Sequence, residues 1–148
     1  MAYQWRPKKE KPKSLTVLGW LRPKLWRLSK EEIAEVLKIP VERVKNATCR
    51  EHQVCISWYN EQGVTCWSFF SYRLFLRWQN QVIALIRTWV KWETWERLVE
   101  TIEYEFSRFC YSIEMRNCIW HNLLEQERNL SSLRRATDDL DNLWEFEF

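Results

Sequence analysis

Five cysteines and two histidines are the residues of this chain best suited to metal or nucleophile chemistry. Cys49, His52 and Cys55 follow one another at intervals of three, Cys66 lies a little further on, and Cys118 with His121 repeats the Cys-x2-His fragment. Three thiolates and one imidazole can hold zinc, so Cys49, His52, Cys55 and Cys66 are the candidate metal ligands. The competing reading makes Cys55 and Cys66 small residues of strands, and on that reading no metal or other cofactor is expected. A Cys-His nucleophile pair is arithmetically possible, but the two histidines are far apart in sequence and no carboxylate stands at a diagnostic spacing. With two glycines in the chain there is no phosphate-cradling loop and no nucleophile elbow. No enzyme is expected.

The remaining chemistry is that of charge. Residues 1–50 hold 13 Lys and Arg against five Glu, and residues 51–148 hold 10 against 15 Asp and Glu, so the first third is +8 and the rest −5. Such asymmetry points to a polyanionic partner for the first third. Residues 1–14 read as a flexible basic arm in which Arg6, Lys8, Lys9, Lys11 and Lys13 alternate with Pro7 and Pro12. Residues 15–26 read as an extended segment or short helical turn anchored by Trp20 and Trp26.

The elements that position these charges begin at Ser29. Ser29 and Glu32 form a capping box, and Ile33, Val36 and Leu37 give the helix that follows one apolar stripe. Pro40 ends that helix and predicts a second from Pro40 to about Arg50, burying Val41, Val44 and Ala47 or Thr48. Two short helices joined by a tight turn resemble the helix-turn-helix of bacterial DNA-binding regulators. Ile33 and Ala34 match the apolar and small positions of the first helix, Leu37, Ile39, Val44 and Ala47 the other core positions, and Lys38 replaces the usual left-handed glycine. The resemblance implies that residues 40–50 are a recognition helix presenting Glu42, Arg43, Lys45, Asn46 and Arg50. On that reading Asn46 pairs with adenine, Arg43 with guanine, and Lys45 and Arg50 with phosphates.

Strand spacing follows: Val54, Ile56 and Trp58 alternate with Cys55, Ser57 and Tyr59, residues 60–63 turn, and Val64 to Phe69 return. Pairing Tyr59 with Val64 puts Val54, Ile56, Trp58, Trp67 and Phe69 on one face, covering the helices. A hairpin after a helix-turn-helix resembles a winged helix, in which Arg50 and Arg73 would grip the backbone beside the wing. After Gly63 neither Gly nor Pro occurs, which predicts long helices. Apolar residues from Phe75 to Ile113 step by three and four with one skipped step, which lets one helix bend or marks a boundary near Lys91 to Thr94, and Ser71 would cap the first helix. That stripe implies a helical bundle or an antiparallel dimer seam, and its many large aromatics favour the two-fold dimer. The acidic, aromatic tail from Asp138 to Phe148 would dock on a protein partner or fold back on the basic third.

The expected architecture is therefore mainly α with one β-hairpin: an arm over 1–14, a winged helix-turn-helix over 15–72 and dimerising helices over 73–148. The expected function is a cytoplasmic homodimeric transcriptional regulator, a repressor, on palindromic double-stranded DNA, similar to short MerR-type repressors without a large effector domain. No membrane partner is expected, because no uncharged apolar stretch is long enough to span a bilayer. The alternatives are a helical protein-interaction module, or a single-stranded nucleic-acid binder that stacks bases on Trp5, Trp20 and Trp26.

Overall fold

The computed structural model describes residues 11–145, and the side chains of residues 11–143. Helix α1 (Lys30–Leu37) leads into a three-stranded antiparallel sheet, β1 (Val44–Cys49), β2 (Val54–Tyr59) and β3 (Thr65–Phe70), in the order β1-β2-β3. Three helices complete the chain: α2 (Leu76–Thr88), α3 (Trp95–Arg108) and α4 (Ile113–Glu145). Helical residues make up 59% of those described, so the mainly α expectation holds. Trp5, Lys8 and Lys9 lie outside the described residues. No described helix is long and apolar enough to cross a membrane.

The capping box is present: Ser29 Oγ accepts the Glu32 N–H, and Glu32 Oε1 accepts the Ser29 N–H. Lys38 ends α1 with φ 56° and ψ 47°, the left-handed conformation that favours glycine. α1 and the tight turn after it thus form where the sequence places them. The predicted recognition helix does not form. Residues Val41–Arg43 make one 3-10 turn and Val44–Cys49 pair as a strand with β2. The physical reason is a β-bulge between Val44 and Asn46. The extra residue, Lys45, shifts the alternation so that Val44, Ala47 and Cys49 all face inward, and the three-residue step from 44 to 47 imitates a helix. Val44, Asn46, Thr48 and Cys49 are also poor helix formers.

The hairpin forms one residue out of the expected register. Gly63, at φ 78°, follows a turn in which its N–H reaches Asn60 O at 3.0 Å, and the Asn60 N–H then reaches Val64 O at 2.9 Å. This is the three-residue loop whose left-handed glycine makes a bulge. Tyr59 therefore lies opposite Thr65, Ser57 opposite Trp67 and Cys55 opposite Phe69. Because side chains alternate with period two, that single step moves Trp67 and Phe69 from the core face to the outer face. Val44, Val54 and Ile56 fill the inner face with Ile33 and Ala34 of α1, and Trp58 packs on Phe70 at 6.0 Å between ring centroids.

Of the two readings of the skipped step the boundary holds, with α2 ending at Thr88 and α3 starting at Trp95, and the stripe is used inside the chain rather than as a dimer seam. Phe75, Trp78, Val82, Trp95 and Ile102 are buried within the chain, in one core with Met115, Ile119, Leu123 and Leu130 of α4. α2 packs against α4, so most of the stripe is covered within the chain, although Ile113 at its end is exposed. A second break, at residues 109–112, carries neither Gly nor Pro. Ser71 caps a 3-10 turn (Tyr72–Leu74) rather than α2, its Oγ accepting the Arg73 N–H. Trp20 and Trp26 also belong to the interior. Trp26 is buried and donates to Gln81 Oε1 at 3.0 Å, and Trp20 leans on Trp89 at 5.0 Å. Both are therefore engaged in packing, Trp26 buried and Trp20 half-buried.

Arg73, expected on a backbone-gripping surface, is 2% exposed and forms a two-pronged ion pair with Glu105, which is fully buried. Nε reaches Oε2 and Nη2 reaches Oε1, both at 2.9 Å. The Leu15 N–H adds a third bond to Oε1 at 2.9 Å, and the Tyr111 hydroxyl a fourth to Oε2 at 2.7 Å. Phe109 and Trp78 enclose the guanidinium, with ring centroids 3.6 and 4.5 Å from Cζ. The chain breaks at 109–112 so that Phe109 and Tyr111 can turn back onto this pair.

Removing one member leaves a buried charge unpaired. Glu105→Ala should lower the unfolding free energy by about 3–5 kcal/mol, while Arg73→Met with Glu105→Leu should lose much less. Urea unfolding measures both, and a loss under about 1 kcal/mol for Glu105→Ala would place the pair in contact with water. Burial, and then Glu105, push the Tyr111 phenol far above its usual range, and burial does the same for Tyr72. The unfolded chain sheds these protons near pH ~10 while the folded chain keeps them. Stability should therefore be full below that pH and fall as pH rises past it, less steeply in Tyr111→Phe.

Candidate functional site

The outer face of the sheet displays exposed aromatic side chains beside basic and polar ones, a composition that suits a ligand. The small residues Cys55 and Ser57 of the central strand form a floor. Trp67 and Phe69 of β3 stand along one side and Asn46 and Thr48 of β1 along the other. Trp67 is 64% exposed, and Phe69 and Tyr59 are exposed beside it. The Trp67 and Phe69 rings meet edge to face, with centroids 5.8 Å apart. That contact fixes the two rings relative to each other while both remain exposed. At the head of the trough the Lys45 ammonium sits 5.7 Å from the Tyr59 ring centroid, and Arg43 Nε donates to Tyr59 O at 2.8 Å.

Local sequence accounts for this arrangement. The Lys45 bulge turns its ammonium toward Tyr59, and Asn60 Oδ1, accepting the Gln62 and Val64 N–H groups at 2.9 Å, fixes the loop that sets the aromatic register. Asn46 Oδ1 accepts the Ala47 N–H at 3.0 Å, and its amide nitrogen is the donor left for a ligand. β3 is an edge strand, and from Val64 to Phe70 it carries no charge and no proline, the usual guards of an edge.

Of the residues singled out from sequence, Arg43, Lys45 and Asn46 are brought together at this trough. Glu42 is exposed on the 3-10 turn, and Arg50 is exposed at the far end of β1, its carbonyl accepting the Tyr72 hydroxyl. Lys11 and Lys13 are exposed and share a groove with Arg97 of α3. The four candidate zinc ligands are not assembled. Period two sends Cys49 and Cys66 to the inner side of the sheet and Cys55 to the outer, while His52 sits in the β1–β2 turn with Nδ1 3.3 Å from Thr16 Oγ1. No group of three or more metal-binding side chains occurs among the described residues. Burial pushes the Cys49 thiol up, away from the reactive thiolate.

Tyr59, Trp67 and Phe69 were not among the expected site residues. The signal that would have found them is the Asn60-x-x-Gly63 spacing, which demands a left-handed glycine and hence the Tyr59–Thr65 register.

Because Trp67 and Phe69 pack on nothing in the core, Trp67→Ala and Phe69→Ala should each change stability by under about 1 kcal/mol. Trp78→Ala, by contrast, should lose about 3–5 kcal/mol. Acrylamide quenching of tryptophan emission should drop in Trp67→Phe, and a large stability loss there would return Trp67 to the inner face. Comparison of the chain with protein-family models, with curated proteins and with solved structures found no match.

Proposed function

We propose that this chain binds single-stranded nucleic acid on the outer face of its sheet, stacking bases on Trp67, Phe69 and Tyr59. The observation that carries the reading is the exposed Trp67–Phe69 pair beside a floor of small residues, with Lys45 and Arg43 at its head. Aromatic side chains stack on bases of any sequence, and nearby cations meet the phosphates. Ser57, Thr48 and Asn46 offer donors and acceptors to base edges that are free of a complementary strand. The +8 charge of residues 1–50 supplies long-range attraction for the same partner. Regulation through a recognition helix is not proposed, because residues 44–49 are a strand.

Fluorescence titration with single-stranded oligonucleotides, and with the duplex of the same sequence, tests the reading. Single strands should bind more tightly, and Trp67→Ala should weaken them by about 5- to 150-fold, the worth of about 1–3 kcal/mol per stacked base. Lys45→Ala should reduce the salt slope by about 0.7. Duplex preference with Trp67→Ala unaffected would overturn single-strand stacking and favour groove contacts from Arg43, Lys45 and Asn46. No binding of either at low salt would leave the aromatic face to a protein partner.

A further inference from the structure

We infer that the distal half of α4 pairs antiparallel with the same segment of a second copy of this chain. α4 spans 33 residues, about 50 Å at 1.5 Å per residue, and only its first half is covered. Leu123, Gln126 and Leu130 are buried, and Leu133, Thr137 and Leu140 continue the same alternation of steps of three and four. From Ser132 to Leu143 every residue is exposed, Leu133 at 62% and Leu140 at 58%. A seam of this period is what one helix presents to another in a coiled coil. Beyond Leu130 the near side of α4 borders only the Trp92–Thr94 turn among the described elements, with the Arg134 guanidinium 5.4 Å from the Trp92 ring centroid.

Charge names the occupant and its direction. Residues 128–137 carry Arg128, Arg134 and Arg135 and no acid, whereas residues 138–145 carry Asp138, Asp139, Asp141 and Glu145 and no base. A parallel pair would set like charges side by side, and an antiparallel pair sets each basic half against an acidic one. With the two-fold axis near residue 138, Thr137 meets Leu140 of the other copy and Arg134 faces Asp141. The last turn of α4 has no basic residue of its own to balance the negative end of the helix dipole, and arginines from a second copy would do so. A groove of about 400 Å3 beside the seam, lined by Val90, Trp92, Leu130, Leu133 and Thr137, lies where the second helix would pass. This interface is remote in sequence from the sheet face and is independent of the nucleic-acid reading.

Sedimentation equilibrium of the full chain over a wide concentration range tests the pairing. A species of twice the 18.4 kDa monomer mass is expected. Arg134→Glu or Asp141→Arg alone should weaken it by about tenfold, and the two together should restore it, since the pair is merely reversed. Leu133→Asp with Leu140→Asp should give monomer with its fold intact by circular dichroism, because neither residue is in the core. Trp67→Ala should leave the dimer unchanged. A monomer at every concentration, a dimer indifferent to the two leucines, or a doubly reversed variant no better than the single ones would overturn the proposal.

Discussion

The Arg73–Glu105 pair is the constraint on which the remaining architecture depends. Two full charges taken out of water are tolerable only when every lone pair and proton is satisfied. Here the satisfaction comes from widely separated parts of the chain: Leu15 near the amino terminus, the Tyr72–Leu74 turn, Trp78 in α2, Glu105 in α3, and Phe109 and Tyr111 in the α3–α4 link. None of these segments can shift by a residue without leaving part of the network unpaired. The Tyr111 hydroxyl also accepts from Trp78 Nε1 at 3.0 Å, so the polar cluster is locked into the aromatic core around it.

That lock has consequences for the sheet. The turn that carries Arg73 follows β3 directly, and its neighbour Tyr72 is fully buried and donates to the carbonyl of Arg50 at the end of β1. The two edge strands are thereby tied together at the end of the sheet nearest the helices, and which face is inward is decided before the hairpin tip is considered. Glu32 adds a second tie, since it caps α1 and also pairs with Arg77 of α2. With one face fixed on α1 and the Tyr72–Phe75 segment, the opposite face is left to solvent with its aromatic residues on display. An aromatic surface held open by a rigid scaffold is the geometry a stacking ligand needs, because nothing must move to admit it.

The helical half is solved by different means. α2 and α4 are joined by polar bonds across the apolar seam, Gln126 Nε2 to Trp89 O at 2.7 Å and Arg87 Nε to Asn122 Oδ1 at 3.2 Å. These bonds keep buried amides satisfied and set the register in which Ile119, Leu123 and Leu130 enter the core. Once α2 ends at Thr88, α4 outruns its neighbour and its stripe continues into solvent.

The sequence by itself determined the features that a few neighbouring residues control. The Ser29 capping box, the start of α1, the strand alternation of residues 54–59 and the helical character beyond Leu74 are all local, and all appear as read. What only the tertiary structure decided are features in which distant partners compete with local preference. Residues 44–49 become a strand because Val54 to Tyr59 offer a ladder and a bulge preserves the buried spacing. Trp67 and Phe69 face outward because one glycine moves the register by one residue, a change invisible in composition and complete in its effect. Arg73 leaves the list of surface cations because Glu105, thirty-two positions away, meets it inside the core. A lone arginine in a sequence looks the same whether solvent or a carboxylate surrounds it, and the burial that distinguishes the two is a property of the packed fold.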